Sequence, residues 1–248
     1  MVRILVSMLV LFALQSSGRT EASAAVSILP PSAPIIPKVD TIHGNIRVDN
    51  YYWLKDRNDP QVIQYLEAEN AYSDSMMKHT EALQAELYDE VLSRIKQTDT
   101  SAPVRIGEYY YYSRTEQGMQ YSIRCRKKGS LDAQEEILLD INALAVGRPY
   151  MALGAYEVSP DGRLLVYSID TAGNERYTLF VKDLDGDSLF AERIENVDDQ
   201  IAWVNDNQHF YYSVLDEAKR PYKVYQHRLG VDEREDRLVY HETDEAFW

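Results

Sequence analysis

The stretch Tyr156-Glu157-Val158-Ser159-Pro160-Asp161-Gly162-Arg163-Leu164-Leu165-Val166-Tyr167-Ser168-Ile169-Asp170 decides the fold. Two short runs of β-branched and aromatic residues flank a Pro-Asp-Gly turn. Proline presets the first turn angle, and glycine tolerates positive φ. Beyond it, Gly173-Asn174 and Asp185-Gly186 bracket a further run, Tyr177-Thr178-Leu179-Phe180-Val181. Strand-like runs separated by such turns predict an antiparallel meander of about four strands.

The same unit recurs on both sides. Tyr-Ser occurs at Tyr112-Ser113, Tyr167-Ser168 and Tyr212-Ser213, at spacings of 55 and then 45 residues. Tyr121, Tyr177 and Tyr222 follow nine or ten residues later and open the next expected strand. A third apolar run comes at Ile137-Leu138-Leu139, Leu189-Phe190 and Leu238-Val239-Tyr240. A period of about 40–50 residues with four strands is the pattern of a propeller blade. A β-sandwich would also supply many short strands, but it does not explain three landmarks that stay in step. Units are expected over about 101–149, 150–197 and 198–243, with Trp203 opening the third and Asn205-Asp206-Asn207 replacing the Pro-Asp-Gly turn.

Propellers close with roughly four to eight blades, whereas residues 101–248 accommodate about three by this period. Glu245-Ala246-Phe247-Trp248 reads as the opening of another. An open stack leaves strand edges uncovered. The expectation is an incomplete propeller, the front part of a larger protein.

Ahead of the repeat, Met1-Val2-Arg3, the apolar run from Ile4 to Leu14 and Ala22-Ser23-Ala24 fit a secretory signal peptide over residues 1–24. The run is too short to span a bilayer. An exported chain, free of the membrane after cleavage, is expected, periplasmic or secreted. Pro30, Pro31, Pro34 and Pro37 mark residues 25–40 as an extended linker. His43-Gly44-Asn45 reads as a turn. A helical arm over residues 41–100 follows. Asp59-Pro60 starts a helix expected over 60–78, and Thr80 caps a second over 80–97. Leu83, Leu87, Val91 and Ile95 form its apolar stripe.

Composition excludes some chemistry. A formal charge of −14 argues against nucleic acid, which needs a basic footprint. It could draw cationic peptides, although solubility alone accounts for it. Cys125 is the only cysteine, so no disulfide forms within the chain. It lies between Arg124 and Arg126 in a strand pattern. A reactive thiol and a plain strand residue are the two readings, and the strand pattern favours the second. The 19 tyrosines suit strand packing, with a sugar-binding platform as the sharper alternative. There is no Gly-x-Ser-x-Gly, His-Glu-x-x-His, P-loop or Rossmann fingerprint. His43, His79, His209, His227 and His241 show no metal-ligand spacing. Asp198-Asp199 and Glu135-Glu136 are carboxylate pairs that solvated turns explain. No catalytic, cofactor or metal residue is assigned, and no cofactor is expected.

The run His43-Gly44-Asn45-Ile46-Arg47-Val48-Asp49-Asn50-Tyr51-Tyr52-Trp53-Leu54-Lys55-Asp56 resembles the start of the oligopeptidase B branch of the prolyl oligopeptidase family of serine peptidases. Pro60-x-Val62-x-x-Tyr65-Leu66-x-x-Glu69-Asn70-x-Tyr72 continues the resemblance, as do Arg94-Ile95, Glu136-Ile137-Leu138-Leu139-Asp140, Ser159-Pro160-Asp161-Gly162 and Phe210-Tyr211-Tyr212. The likeness runs from about residue 34 to 248. It implies an N-terminal arm that clasps a C-terminal α/β-hydrolase domain, and a propeller of seven blades that restricts access to short peptides. It implies cleavage after Arg and Lys, with short basic peptides as substrates of the complete enzyme. The family's Ser, Asp, His and oxyanion hole come after the propeller, so no catalytic residue transfers to this sequence. Two functions are carried forward. One is the propeller region of an exported serine-type oligopeptidase; the other is a non-catalytic exported propeller that binds a peptide or protein.

Overall fold

The computed structural model describes residues 29–247. The expected signal peptide, the first residues of the linker and Trp248 lie outside them. The chain divides into two compact units, one ending at Ser93 and one beginning at Arg94.

The first unit opens with a hairpin of β1 (Lys38–Ile42) and β2 (Asn45–Asp49). His43 and Gly44 both take positive φ, 51° and 79°, as a tight two-residue hairpin turn requires. A 3-10 turn at Tyr52–Lys55 leads to α1 (Pro60–Met77). Asp59 caps α1 by accepting from the Gln61 amide at 2.8 Å, with Pro60 in the first turn. Tyr65 donates to Glu69 one turn on, and its ring meets Trp53 edge-on at 6.2 Å.

The next helix, α2, spans Glu81–Ser93 and differs from expectation at both ends. A 3-10 step at Lys78–Thr80 links it directly to α1. Thr80 does not cap it, because its hydroxyl donates back to the Met77 carbonyl at 2.7 Å. At the other end Asp99–Thr100 is drawn into a sheet, so Ile95 falls off the helix. Leu83, Leu87 and Val91 remain on α2 and are 54%, 50% and 58% exposed.

The second unit is almost wholly strand. β3 (Asp99–Thr100) and β4 (Val104–Ile106) both pair with β5 (Tyr109–Thr115), which is followed by β6 (Ile123–Lys128) and β7 (Glu135–Asp140). A one-turn helix, α3 (Ile141–Ala145), follows β7. The Asp140 carboxylate accepts from the Asn142 and Ala143 amides and holds it. Asn142 in turn takes both backbone groups of Tyr121, which therefore precedes β6 instead of opening it.

Seven further strands form one antiparallel sheet in chain order. They are β8 (Ala152–Val158), β9 (Leu164–Asp170), β10 (Tyr177–Asp183), β11 (Ser188–Trp203), β12 (His209–Leu215), β13 (Pro221–Arg228) and β14 (Arg237–His241). β11 serves two neighbours. Its first part pairs with β10 and its last part with β12, with a register break between Val197 and Ile201. Asn196 at φ 59° bends the strand just before that break. A bulge is the usual device for re-aiming a strand.

The repeat is visible residue by residue. Tyr112, Tyr167 and Tyr212 are each the fourth residue of a seven-residue strand. They face Cys125, Phe180 and Tyr225 across the ladder. Gly107, Gly162 and Asn207, in the turn ahead of each of those strands, all have positive φ. Side chains alternate between faces along a strand, and β9 buries both. Leu165, Tyr167 and Ile169 join Leu138, Leu139, Ile141 and Met151 in one core. Val166 joins Leu179, Val181, Ile194, Val197, Phe210 and Tyr212 in another. Two cores on opposite faces of one four-stranded unit are what stacked blades produce.

Candidate functional site

The carboxylate pairs noted in the sequence do not form dyads. Glu135 and Glu136 are neighbours on β7 and point to opposite faces. Glu135 accepts from the Tyr112 hydroxyl at 2.6 Å and from Arg114 at 3.0 Å. Partial burial opposes ionisation of Glu135, but those two donors outweigh it and hold its carboxyl below the usual range. Glu136 pairs instead with Arg126 at 2.6 Å. Asp198 and Asp199 sit in the register break of β11, where Asp198 accepts from Ser213. The in-step tyrosines are structural. Tyr167 stacks on Phe180 at 5.6 Å and Tyr212 on Tyr225 at 5.7 Å.

Cys125 is the strand residue of the two readings. It is buried, and burial first, then the Glu135 charge, push its thiol up to about 11. A thiol reacts as its thiolate. We expect a thiol-specific chromogenic disulfide at pH 8 to leave the folded chain unlabelled and to label it once urea is added. Rapid labelling of the folded chain would place the thiol at the surface.

The histidines are dispersed. His209 bonds Asp206 locally and His79 the Met76 carbonyl. Among the described residues no group of three or more His, Cys, Asp or Glu could hold a metal. His227 is different: it is buried and its Nδ1 lies 2.8 Å from Asp236. Nothing in its sequence context signals this, because the pairing spans the turn between two strands.

The cleft best placed to receive a ligand lies between the first sheet and the strand that opens the next unit. It encloses about 580 Å³ and is walled by Tyr109, Tyr111 and Tyr156, with Glu157 and Ser159 beside them. β5 presents Tyr109 and Tyr111 on one face because they stand two residues apart. Arg126, only 2% exposed, lies against two of its lining residues, Tyr109 and Gly162. Its guanidinium lies 4.0 Å from the centre of the Tyr109 ring, and it also bonds Glu136 and the Gly162 carbonyl. Arg126 thereby ties the first unit to the Pro-Asp-Gly turn of the second. Burial raises the Glu157 carboxyl and the Tyr111 and Tyr156 hydroxyls above their ordinary values.

The one serine of this cleft, Ser159, donates to Asp161 at 2.6 Å and accepts from the Leu164 amide. Among the described residues no serine hydroxyl is bonded to an imidazole, so none has the adjacent base that a seryl nucleophile needs. Aromatic walls with a few polar groups suit a peptide or another amphipathic ligand.

Comparison with known proteins identifies the family. Residues 30–248 match the family described as prolyl oligopeptidase, N-terminal beta-propeller domain. The chain is 38% identical over 253 residues to dipeptidyl aminopeptidase BI of Pseudoxanthomonas mexicana, covering 95% of this chain and 35% of that one. It is 35% identical over 224 residues to Protease 2 of Moraxella lacunata, covering 88% and 32%. Among solved structures, oligopeptidase B from Leishmania major superposes with a TM-score of 0.81 at 29% identity, covering 87% of this chain and 33% of that one. The chain spans about a third of the length of these relatives.

Proposed function

Because the chain belongs to the prolyl oligopeptidase family and constitutes its N-terminal propeller region, we propose that it is the substrate-admitting part of an exported serine-type oligopeptidase that hydrolyses short peptides after Arg or Lys. The observation that carries this reading is the apolar stripe of α2. Leu83, Leu87 and Val91 are each half exposed or more, at an arm that a stand-alone propeller does not need. A catalytic α/β-hydrolase domain is the partner such an arm clasps in this family. The three leucine and valine side chains would together gain several kcal/mol from burial there, at about 25 cal/mol per Å² of apolar surface.

The preference for basic residues rests on the oligopeptidase B-like opening, with its Tyr51-Tyr52-Trp53-Leu54, and on charge. A net charge of −14 gathers cationic peptides at the propeller and raises their encounter rate. Export rests on the basic start, apolar run and Ala22-Ser23-Ala24 of the leader. The aromatic cleft walled by Tyr109, Tyr111 and Tyr156 supports the second reading, a propeller that binds peptides without cleaving them.

The test starts from the DNA beyond the Trp248 codon. An in-frame or frame-shifted hydrolase sequence with Gly-x-Ser-x-Gly supports the peptidase, and the joined product is then assayed on peptides ending in Arg, Lys or Pro. Cleavage after Arg and Lys, blocked by a serine-directed inhibitor, supports the specificity. Cleavage after Pro alone would reject it, and a locus without hydrolase sequence would favour the binding propeller.

A further inference from the structure

Two Asp-Gly pairs stand in turns of the repeat, Asp161-Gly162 and Asp185-Gly186. Aspartate before glycine is prone to close a ring, because glycine has no side chain to keep its amide nitrogen away from the aspartate Cγ. The fold treats the two pairs in opposite ways. Gly162 is buried, and its amide donates to the Ser159 carbonyl at 2.8 Å. Its carbonyl accepts from Arg126, and the Asp161 carboxylate accepts from the Ser159 hydroxyl and the Arg163 amide. Nucleophile and carboxylate are both held.

Asp185 and Gly186 lie in the loop that joins Asp183 at the end of β10 to Ser188 at the start of β11, two residues that pair across the ladder. Asp185, Gly186 and Asp187 are all exposed. Among the described residues the Gly186 amide has no hydrogen-bond acceptor. The Asp185 carboxylate meets Arg163 at 3.0 Å, with both side chains more than half exposed. An ion pair so open to water holds weakly. Gly186 also lies outside the left-handed region, so its place in the loop does not require glycine.

We propose that Asp185-Gly186 is a site of spontaneous modification to isoaspartate, and that the fold protects Asp161-Gly162 from the same reaction. The Gly186 nitrogen attacks Cγ of the protonated Asp185 carboxyl group. A C–N bond forms, and the amide hydrogen and the carboxyl hydroxyl leave together as water, giving a five-membered succinimide. Water then opens the ring. Addition at Cγ restores aspartate. Addition at the main-chain carbonyl leaves the chain running through Cγ, with a free α-carboxylate. Nothing is oxidised or reduced, and the mass of the product equals that of the starting chain. The new link lengthens the main chain of the loop between Asp183 and Ser188, and it moves the carboxylate from the position that pairs with Arg163. The site does not depend on the peptidase reading.

The test incubates the whole folded chain in mildly acidic buffer at body temperature, beside a sample unfolded in guanidinium chloride. Digests are read by electron-transfer fragmentation, which separates the two linkages, and by methyl transfer from S-adenosylmethionine with a protein isoaspartyl methyltransferase. In the folded chain isoaspartate is expected to accumulate about tenfold or more faster at Asp185 than at Asp161, because Gly162 must first give up a buried hydrogen bond. In the unfolded chain the two rates should converge. Gly186→Ala, in an exposed loop at an ordinary φ, should leave folding unchanged and slow the reaction at Asp185 several-fold. The proposal is overturned by equal rates at the two sites of the folded chain, by a faster rate at Asp161, or by an undiminished rate in Gly186→Ala. A folded chain that forms no isoaspartate at Asp185 while the unfolded chain does would overturn it equally.

Discussion

Replacing Phe210 by alanine is expected to cost about 3–5 kcal/mol of folding stability, the range for emptying a large aromatic site in a core. Phe210 is fully buried at the centre of the second core. Trp203, Tyr212 and His227 surround it with ring centroids at 5.6, 6.3 and 5.0 Å. Those rings are anchored elsewhere: Trp203 donates to the Glu157 carbonyl at 3.0 Å, and Tyr212 and His227 both reach Asp236. They cannot collapse freely into the space left behind, so the upper part of the range applies. Urea unfolding of Phe210→Ala should show a lower midpoint with an unchanged slope. Phe210→Leu, which keeps most of the volume, should lose less than half as much. Equal losses in the two variants would mean that ring packing is not what holds this core.

The second large effect is expected at Asp170. This carboxylate is 1% exposed and closes the loop after β9 by accepting from three backbone amides, those of Ala172, Gly173 and Glu175, at 2.8, 3.0 and 2.8 Å. Gly173 takes φ 73° in the same loop, a conformation that glycine adopts without strain. Asp170→Ala strands all three donors. Their loop is partly open to water, which discounts the loss to about 2–3 kcal/mol, within the range for buried hydrogen bonds to a charged group. Asp170→Asn keeps one acceptor oxygen and should recover part of that loss. Amide exchange reads the effect locally: the amides of Ala172, Gly173 and Glu175 should exchange faster in Asp170→Ala. Unchanged exchange at those amides would refute the assigned role.

The repeat was legible in the sequence because it is carried by local chemistry. Tyr112, Tyr167 and Tyr212 keep one position in the strand, and Gly107, Gly162 and Asn207 keep one in the turn, since each unit needs the same pleat and the same left-handed corner. The start of α1 was equally readable, because Asp59 and Pro60 act within one turn. Other features were not. Ile95 continues the helical period, yet Asp99–Thr100 pairs with the end of β5 and stops the helix early. Thr80 has the residue type of a cap but bonds backwards to Met77. β11 runs as one strand from Ser188 to Trp203, with Asn196 at positive φ next to its register break.

The aromatic cleft and the His227–Asp236 pair show the same division. Tyr109 and Tyr111 are conspicuous in Glu108-Tyr109-Tyr110-Tyr111-Tyr112, but nothing in the sequence says that Arg126 sits over Tyr109 and reaches the Gly162 carbonyl, 36 residues away. His227 and Asp236 meet only because the β13–β14 connection folds back. A scattered histidine and one acid among 40 Asp and Glu residues carry no spacing signal.

We propose that these residues form a propeller region that admits peptides without the means to cleave them. Acyl transfer needs a nucleophile, its base and an oxyanion hole, and binding alone leaves the barrier to amide hydrolysis essentially untouched. The direct test is to purify residues 25–248 and incubate them with an Arg-ended chromogenic peptide and, separately, with a fluorescent serine-directed phosphonate. No release of the chromophore above buffer and no labelled protein band are expected. Turnover by a contaminant-free sample that the phosphonate both labels and abolishes would contradict it.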